Sequence, residues 1–508
     1  MTEPTDPVIL SGARRRSFAE LHERAARAAS GLRALGVGEG DAVALQLRND
    51  FEFFEASLAA GRLGAYATPV NWHFTADEAG YILRDSGARA LVAHSDLLPA
   101  IARAVPAGLP TFVVPTPPEI RAAYRLPADG AAPAGAAAWE ALVAGHPPLP
   151  DPPRPSRASM IYTSGTTGRP KGVRREPSTP EQSAIALARF GWTFGLKADE
   201  PAVVLMNGPM YHSAPNAYAI NAMRLNKPIV LQARFDPEEM LQLIERHRIS
   251  HMHIVPTMFV RLLRLPEAVR RRYDLSSLRF VIHGAAPCPP EVKRAMIEWW
   301  GPVINEYYGS TETSVPTIAS SADALKKPGT VGRPLPDSRI KILDPEGNEV
   351  PQGEVGEIYI HVENLPRFTY QNQPDKRREV GHGEFVTVGD AGYFDADGYL
   401  FLADRKRDMV ISGGVNIYPA EIEMVLVTMP GVRDCAVFGL PDAEFGESLC
   451  AVIQPDPAQP APTLAAVQAY LGRSLARFKL PRRLELVDAM PREDSGKIFK
   501  RKLRERYL

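Results

Sequence analysis

Apolar positions along the first hundred residues follow two spacings in turn. Helical spacing from Phe18 predicts an amphipathic helix, and a glycine-rich turn over 36–40 separates it from an apolar strand that starts at Ala42. Two further helices are predicted over 51–63 and 76–86. Strands that alternate with helices predict a wound α/β sheet.

Size, charge and cysteine content limit the function classes. A chain of 508 residues is too long for one compact core, so at least two domains are expected. Lysine plus arginine and aspartate plus glutamate both number 59, which argues against a nucleic-acid partner bound by bulk electrostatics. Cys288, Cys435 and Cys450 lie far apart, which fits a reducing cytoplasm rather than a disulfide framework or a zinc site. Residues 1–10 show no signal-peptide pattern, and the lack of a run of about 18 apolar residues predicts no membrane span.

The clearest chemical signal is the segment Tyr162–Gly172, which follows a predicted strand over 158–162. Its glycines let the backbone fold closely around an anion, and its hydroxyls, N–H groups and lysine can surround phosphate oxygens. The spacing differs from the G-x-x-x-x-G-K-[ST] loop of P-loop NTPases. The alternative is a flexible linker, which rarely combines these residue types. The predicted phosphate-binding residues are Thr163, Ser164, Gly165, Thr166, Thr167, Gly168 and Lys171.

This segment resembles the signature loop of the adenylate-forming superfamily, which includes acyl- and aryl-CoA synthetases, luciferases and the adenylation domains of peptide synthetases. A second segment, Tyr308-Gly309-Ser310-Thr311-Glu312, resembles the Y-G-x-T-E motif of that family. The resemblance implies that Tyr308 stacks on adenine, Thr311 contacts the α-phosphate and Glu312 holds Mg²⁺. A carboxylate oxygen is a hard ligand, which suits Mg²⁺.

The resemblance implies further nucleotide contacts on several segments. Small residues follow a buried strand predicted over Phe280–His283, and they let a flat adenine ring lie against the backbone. An aspartate would hold the ribose diol, and an arginine would be the second ribose contact. Val388 stands where the family usually has threonine. The residues concerned are Gly284, Ala285, Ala286, Glu306, Tyr307, Tyr308, Gly309, Asp390 and Arg405.

The segment Pro209–Pro215 resembles the part of acid ligases that borders the acyl pocket. No acidic residue occurs between Met206 and Gln232, so an α-amino acid would have its ammonium buried unpaired, and a fatty, aryl or alicyclic acid fits better. His251 and His253 could bind a metal, but their spacing on one strand face is interpreted as packing. The predicted acyl-pocket residues are Tyr211, His212, Tyr218, Val255, Met258 and His283.

The last hundred residues are predicted to form a small, mobile α+β domain. The resemblance implies a division into residues 1–406, which bind ATP and the acid, and residues 407–508, which carry a catalytic lysine. Paired glycines would let the arm of CoA pass close to the backbone. The predicted hinge, CoA-path and catalytic residues are Arg407, Gly413, Gly414 and Lys497.

Together these motifs predict an α/β enzyme whose large N-terminal part has two wound sheets and a β-rich subdomain. The predicted reaction is ATP-dependent, Mg²⁺-requiring acid–CoA ligation through an acyl-AMP, in which coenzyme A accepts the acyl group. The alternatives are loading of a carrier protein in trans, only one half-reaction, a luciferase-type monooxygenase and a non-catalytic binding module. Intact Glu312 and Lys497 argue against the last of these. The sequence leaves open whether the protein forms a homodimer.

Overall fold

The computed structural model describes residues 6–127, 135–150, 155, 157–163, 170–405, 408–412, 415–442, 444–492, 498 and 500–508. The side chains of residues 404, 405, 416, 501 and 502 are not described. None of the described helices is long and apolar enough to cross a membrane.

Strands and helices alternate up to residue 150, as the pattern predicts. Helix α1 begins after Ser17, whose hydroxyl accepts a hydrogen bond from the backbone N–H of Glu20 at 3.1 Å and so caps the helix. The strands are β1 Val8–Ser11, β2 Arg14–Ser17, β3 Ala42–Gln46, β4 Tyr66–Pro69, β5 Ala88–His94, β6 Thr111–Val114 and β7 Ala137–Ala138. The helices are α1 Phe18–Ala34, α2 Phe51–Arg62, α3 Ala76–Asp85, α4 Leu98–Ile101, α5 Pro118–Tyr124 and α6 Trp139–Ala144, with a 3₁₀ turn over Ala102–Ala104.

The middle of the chain continues the alternation and then becomes rich in strands. The helices are α7 Pro180–Thr193, α8 Ser213–Arg224, α9 Pro237–His247, α10 Pro256–Leu263, α11 Glu267–Arg270, α12 Pro290–Trp300, α13 Ser321–Lys326 and α14 Pro374–Glu379. The strands are β8 Ile161–Thr163, β9 Lys171–Arg175, β10 Val204–Met206, β11 Ile229–Leu231, β12 His251–Ile254, β13 Phe280–His283, β14 Ile304–Ser310, β15 Ser314–Ala319, β16 Arg333–Pro334, β17 Ser338–Leu343, β18 Gly356–Val362, β19 Phe368–Tyr370, β20 Gly381–His382, β21 Phe385–Phe394 and β22 Leu400–Arg405.

Two predictions of strands in this part have different outcomes. The strand over Phe280–His283 is confirmed. The strand predicted over 158–162 is shifted, because β8 begins only at Ile161. The backbone N–H of Met160 instead bonds to the carbonyl of Ala67 in β4 at 2.9 Å.

The C-terminal part is a small α+β unit with its own core. Its strands are β23 Val410–Ser412, β24 Val415–Ile417, β25 Val432–Asp442, β26 Gly446–Pro455 and β27 Arg483–Leu486. Its helices are α15 Pro419–Leu426, α16 Leu464–Leu471 and α17 Lys500–Arg504, with a 3₁₀ turn over Arg477–Lys479. Among the described residues, β24, β23, β26 and β25 are neighbours in that order, and β27 pairs with β26.

Two wound sheets form the centre of the N-terminal part. In the described part of the chain, the larger has nine strands in the order β16-β15-β14-β13-β12-β10-β11-β1-β2. Its six inner strands are parallel, and antiparallel strands lie at both edges. The smaller sheet has the order β4-β3-β5-β6-β7 and is parallel throughout. Parallel sheets are covered by helices on both faces, which confirms the predicted architecture.

Antiparallel strands complete the N-terminal part. Strands β17, β18, β21 and β20 are neighbours in that order, with β22 on β21, and they form the predicted β-rich subdomain. Strand β9 pairs with β8 on one side and with β19 on the other. This small sheet ties the segment that follows residue 170 to a strand almost 200 residues later.

Period-two alternation decides which side chains of the large sheet share a face. His253 of β12 and Tyr307 of β14 lie on the face that α8 covers, where their rings are 5.7 Å apart. Val281 of β13 and Ile304 of β14 lie on the opposite face and pack with α10 and α12. Successive residues of a strand point to opposite faces, so neighbours in sequence belong to different cores.

A buried ionic cluster fixes the start of α2 against β2 and α1. Its carboxylates are Asp50, Glu52 and Glu55, and its arginines are Arg14, Arg16 and Arg24. Burial, with the charges of Asp50 and Glu55, raises the pKa of Glu52 to about 8. Although burial opposes it, His94 together with Arg14 lowers the pKa of Asp50 to about 2. The cluster therefore holds a protonated Glu52 at neutral pH.

The raised pKa of Glu52 predicts that stability falls as the solution becomes alkaline. The folded state binds this proton more tightly than the unfolded state, so its contribution is complete below the ordinary glutamate pKa and is lost as pH rises through about 8. Between pH 6 and 8 the free energy of unfolding should fall by about 2 kcal/mol from this group. Urea denaturation at a series of pH values measures the slope, and Glu52→Gln should flatten it. Equal slopes in the two proteins would contradict this assignment.

Candidate active site

The predicted phosphate-binding segment is anchored by the β8–β9 hairpin. Thr163 at the end of β8 is the register partner of Lys171 at the start of β9. Lys171 is 6% exposed, and its Nζ lies 5.2 Å from the centroid of the Tyr370 ring. Burial, with a contribution from Lys376, lowers the pKa of Lys171. The remaining predicted residues of this segment, Ser164, Gly165, Thr166, Thr167 and Gly168, lie outside the described residues.

The second motif forms a tight turn between β14 and β15. A Cβ atom at Gly309 would lie 2.1 Å from the carbonyl oxygen of Ser314, so only glycine permits this close approach. Ser314 itself has φ +59°, in the left-handed region. The turn presents Thr311 and Glu312 at the end of the large sheet.

Glu312 joins the two motifs. Its Oε1 lies 3.4 Å from the hydroxyl of Thr163, which is 149 residues away along the chain, and 3.2 Å from the hydroxyl of Tyr370. The carboxylate is largely buried, with Glu312 8% exposed. Pairing of β9 with β19 brings Tyr370 to this point.

The chemistry of these groups fits Mg²⁺. Carboxylate and hydroxyl oxygens are hard donors, and Mg²⁺ in nucleotide sites commonly takes one or two carboxylates together with phosphates and water. The described residues contain no cluster of three or more histidine, cysteine, aspartate or glutamate side chains that could enclose a metal ion. Glu312 would therefore supply the protein's carboxylate ligand, and phosphate oxygens and water would supply the others.

Two residues that support Glu312 were missed by the sequence reasoning. Arg175 donates hydrogen bonds to the backbone carbonyls of Thr311 at 2.7 Å and Glu312 at 2.8 Å. Burial, opposed by Glu312, lowers the pKa of Arg175 to about 10, so it remains charged at neutral pH. Arg175 follows Lys171 of the first motif by four residues, and this position in the sequence could have pointed to it. Tyr370 lies in no recognisable motif, and only the pairing of β19 with β9 reveals it.

The predicted adenosine contacts come together at the junction of the large sheet and the β-rich subdomain. The hydroxyl of Tyr308 donates to Asp390 Oδ2 at 2.8 Å. Both residues are buried. Asp390 is also the register partner of Arg405 across β21 and β22, although the Arg405 side chain is not described. The structure thus brings the three predicted residues to one place.

The turn after β13 lies next to this group. A Cβ atom at Gly284 would lie 2.5 Å from Cε1 of Tyr307, so the tyrosine ring occupies the space beside the turn. Ala285 has φ +68°, which is uncommon for a residue with a Cβ atom. Backbone strain of this kind concentrates at ligand sites, and the adjacent Ala286 completes the exposed turn.

Glu306 has a different environment from the other predicted nucleotide contacts. Its carboxylate is bound to the Lys293 ammonium of α12, on the buried side of the sheet. His283 lies beside the pair, with Nδ1 3.9 Å from Oε1 of Glu306. Burial raises the pKa of Glu306 and Lys293 opposes the rise. The Glu306 carboxylate thus joins β14 to α12, and its contact with the nucleotide stays a prediction.

Four of the six predicted acyl-pocket residues are divided between the two faces of the large sheet. Tyr218 packs on the α8 face of the large sheet. Val255 and Met258 belong to the core on the opposite face, and His283 packs there against Phe259 at 5.2 Å. The division follows from alternation along β13 and from the crossing of α10 beneath the sheet.

The other two predicted acyl-pocket residues precede α8. Tyr211 packs edge-on against Trp72, with ring centroids 4.5 Å apart. His212 is the residue before the helix, and its ring lies 4.4 Å from that of Tyr211. The segment just before them is held by Asn49, whose side-chain amide donates a hydrogen bond to the carbonyl of Gly208 at 2.8 Å.

The histidine pair on β12 is explained by packing. His251 Nδ1 lies 2.8 Å from the hydroxyl of Ser250, and its ring stacks on Phe280. His253 Nε2 lies 2.9 Å from the hydroxyl of Tyr307. These separate partners agree with the interpretation of the pair as sheet packing.

Four further predicted residues, all in the C-terminal part, also lie outside the described part of the chain: Arg407, Gly413, Gly414 and Lys497. Their flanks are described. Ser412 and Val415 are register partners across β23 and β24. Between the N-terminal and C-terminal parts, Arg264 donates a hydrogen bond to the carbonyl of Val432 at 2.9 Å.

Comparison with known proteins gives consistent matches over nearly the whole chain. Residues 1–367 match the AMP-binding enzyme family, and residues 421–497 match the C-terminal domain of AMP-binding enzymes. The chain is 32% identical to the fatty acid–[acyl-carrier-protein] ligase ScoC of Streptomyces coeruleorubidus over 99% of this chain and 94% of that protein. It is 33% identical to a feruloyl-CoA synthase of an Amycolatopsis species over 99% and 96% of the two chains.

A solved structure supports the same similarity. The ATP-bound structure of MatB from Rhodopseudomonas palustris superposes with a TM-score of 0.82 and is 31% identical, and the match covers 100% of this chain and 97% of that chain. The shared features are therefore those of the whole fold and extend beyond the two motifs.

Removing the carboxylate charge at the turn should impair the acid-activating step. Glu312→Gln keeps the shape of the side chain but not its charge, and loss of a charge-stabilising group typically costs on the order of 3 kcal/mol of barrier, or about 100-fold in rate. Pyrophosphate release across a magnesium titration measures the effect, and thermal unfolding checks that the fold is intact. An unchanged titration curve would remove Glu312 from the site.

The hydroxyl of Tyr370 should position Glu312. Tyr370→Phe removes one hydrogen bond to the carboxylate, worth roughly 1–2 kcal/mol, so half-maximal activity should need about five- to thirtyfold more magnesium. Tyr399→Phe is the matched control, since it loses a tyrosine–carboxylate bond to Asp323 away from this turn. Equal magnesium requirements in the two variants would show that Tyr370 does not act through Glu312.

Proposed function

Because the chain belongs to the AMP-binding enzyme family, we propose that it joins a carboxylic acid to CoA in two steps at the site around Glu312. The acid and ATP first give an acyl-adenylate and pyrophosphate, and the thiol of CoA then displaces AMP. The observation that carries the proposal is the meeting of Thr163, Tyr370 and Glu312 at the turn after β14, the strand that also carries Tyr308 of the Tyr308–Asp390 pair. Groups that suit phosphate, divalent metal and ribose thus lie within one region of the fold.

In the first step a carboxylate oxygen of the acid bonds to the α-phosphorus, and the bond from that phosphorus to the bridging oxygen of pyrophosphate breaks. The protein needs to position the reactants and stabilise charge more than to supply a covalent group. The hydroxyl- and glycine-rich segment that runs from Thr163 to Lys171 would hold the β- and γ-phosphates, and Thr311 would contact the α-phosphate. Mg²⁺ held by Glu312 would neutralise phosphate charge.

The nucleoside would be held from two sides. Tyr308 would offer its ring to adenine, and the turn at Gly284–Ala286 would lie along the edge of the base. Asp390 would accept hydrogen bonds from the ribose hydroxyls, with Arg405 as its neighbour across the strands. The hydroxyl of Tyr308 fixes the orientation of the Asp390 carboxylate for this task.

In the second step the sulfur of CoA attacks the acyl carbonyl, and AMP leaves. We assign Lys497 to the first step and the Gly413–Gly414 segment to the second, with residues 407–508 turning about Arg407 between them. A lysine near the end of the chain must reach the α-phosphate and later make room for the thiol. Support comes from the match of residues 421–497 to a separate C-terminal domain.

Transfer to a carrier protein is the second candidate for the thiolation step. The similarity to ScoC, whose name gives an acyl-carrier-protein ligase, favours it. Both acceptors present a thiol on a pantetheine arm, so the same path past Gly413 and Gly414 would serve. Supplying CoA or a phosphopantetheinylated carrier protein to enzyme loaded with acyl-adenylate would tell the two acceptors apart.

The two half-reactions should separate in two variants. Lys497→Ala should slow acyl-adenylate formation about 100-fold or more, as expected for loss of one preorganised charge, and should leave conversion of supplied acyl-AMP to acyl-CoA intact. Gly413→Leu should spare adenylation and block thiolation, because a bulky side chain narrows the path of the pantetheine arm. Pyrophosphate release and thioester formation are measured for both. If both variants lose the same half-reaction, the proposal that residues 407–508 turn between the two steps is wrong.

A further inference from the structure

Four ring-bearing residues pack together on the face of the large sheet that α8 covers. This set, here called the aromatic floor, consists of Phe194, Tyr218, His253 and Tyr307. The ring centroid of Phe194 lies 5.7 Å from those of Tyr218 and Tyr307, and the centroids of Tyr218 and His253 are 6.0 Å apart. The floor therefore joins the end of α7, the middle of α8 and two strands of the sheet.

The aromatic floor lies directly beside the nucleotide site. Tyr307 immediately precedes Tyr308, and its ring fills the space against Gly284, where a Cβ atom would be only 2.5 Å away. An acid whose carboxylate meets the α-phosphate extends away from the nucleotide. On the α8 side, the ring of Tyr307 contacts the turn after β13 at Gly284 and packs against Phe194 and His253. The floor is thus placed to contact the end of the acid farthest from its carboxylate.

One polar group on the floor has an unmet hydrogen-bonding need. The hydroxyl of Tyr218 is completely buried and has no hydrogen-bond partner among the described residues. Leaving a buried hydroxyl unpaired is unfavourable, so such a group needs an explanation, and an ordered water or a ligand group supplies one. The hydroxyl of Tyr307, by contrast, is already bonded to His253 at 2.9 Å.

The floor is also uncharged at neutral pH. Burial lowers the pKa of His253 to about 4 and raises the pKa values of both tyrosines. The basic residues of α8 and the following turn lie elsewhere: Arg224 is exposed, and Lys227 donates to the carbonyls of Ala198 and Glu200. A carboxylate or an ammonium group brought to the floor would be buried without a counter-charge.

Building on the proposed function, we propose that the acid substrate carries an uncharged hydrogen-bonding group, a hydroxyl or a keto oxygen, at the end distal to its carboxylate, and that Tyr218 binds this group. The hydroxyl of Tyr218 donates to a keto oxygen or exchanges one hydrogen bond with a hydroxyl. The Tyr307–His253 pair limits the length of the acid and holds the floor in place. Tyr218 is then a residue that determines specificity.

The test uses matched series of acids with the full-length enzyme. One series is hexanoic, 6-hydroxyhexanoic and hexanedioic acid, and a second is cyclohexanecarboxylic acid with its 4-hydroxy, 4-oxo and 4-carboxy derivatives. Pyrophosphate release gives kcat/KM for each acid. In at least one series the hydroxy or oxo acid should exceed both the unsubstituted acid and the diacid by tenfold or more, because a site built to bind a polar group disfavours analogues that lack it.

Tyr218→Phe connects the preference to this residue. The variant should lower kcat/KM for the preferred acid tenfold or more and leave that for the unsubstituted acid within about twofold. Its melting temperature should stay equal or rise, because an unpaired buried hydroxyl is removed. Tyr393→Phe, on a strand of the β-rich subdomain, is the matched control and should retain the wild-type preference.

Three results would overturn the proposal. The first is a preference for the unsubstituted acid or the diacid in both series. The second is an unchanged preference in Tyr218→Phe. The third is a marked fall in the melting temperature of Tyr218→Phe, which would show a structural role for the hydroxyl. If several acids release pyrophosphate without any such preference, the specificity proposal fails while acid activation stands. If no acid of either series releases pyrophosphate, the specificity proposal fails for both series, and absence of release with a wider acid panel would count against the proposed function.

Discussion

The arrangement of the site depends on the hydrogen bonds that Arg175 makes to the backbone of Thr311 and Glu312. They fasten the β14–β15 turn to β9, the strand that follows the phosphate-binding segment. The half-buried guanidinium binds these carbonyls and that of Pro366, keeps its charge, and satisfies acceptors that would otherwise lack partners. The Glu312 carboxylate is thereby held within reach of Thr163 and Tyr370. The contact therefore joins the turn of the second motif to the strand that follows the first.

The second constraint is the alternation of side chains along the parallel strands. It sends Tyr307 toward α8 and Glu306 toward α12, although the two are adjacent in sequence. One face therefore offers an uncharged aromatic surface next to the nucleotide turn, and the other contains a buried ion pair that supports it from behind. This separation keeps charge out of the proposed acid pocket while the same strand, β14, leads into Glu312.

Much of the fold could be predicted because its signals are local. Helical spacing from Phe18, the small residues after Phe280–His283 and the alternation of elements each identify an element within a few turns of chain. Contacts could not be predicted in the same way. The acyl-pocket prediction combined Tyr218 with Val255, Met258 and His283 because all are apolar or aromatic, whereas strand alternation and the crossing of α10 place them on opposite faces of the sheet.

The sequence by itself determined the chemistry of this protein: a hydroxyl- and glycine-rich segment ending in Lys171, the carboxylate of Glu312, and Asp390, in an order that identifies the family. These features depend on residue type and short spacing, which the chain displays directly. Only the tertiary structure decided which residues surround them. Tyr370 and Arg175 reach Glu312, and the unpaired hydroxyl of Tyr218 lies beside His253, through strand order and register between segments tens to hundreds of residues apart. Local spacing carries no record of such pairings, because they arise from how whole sheets pack.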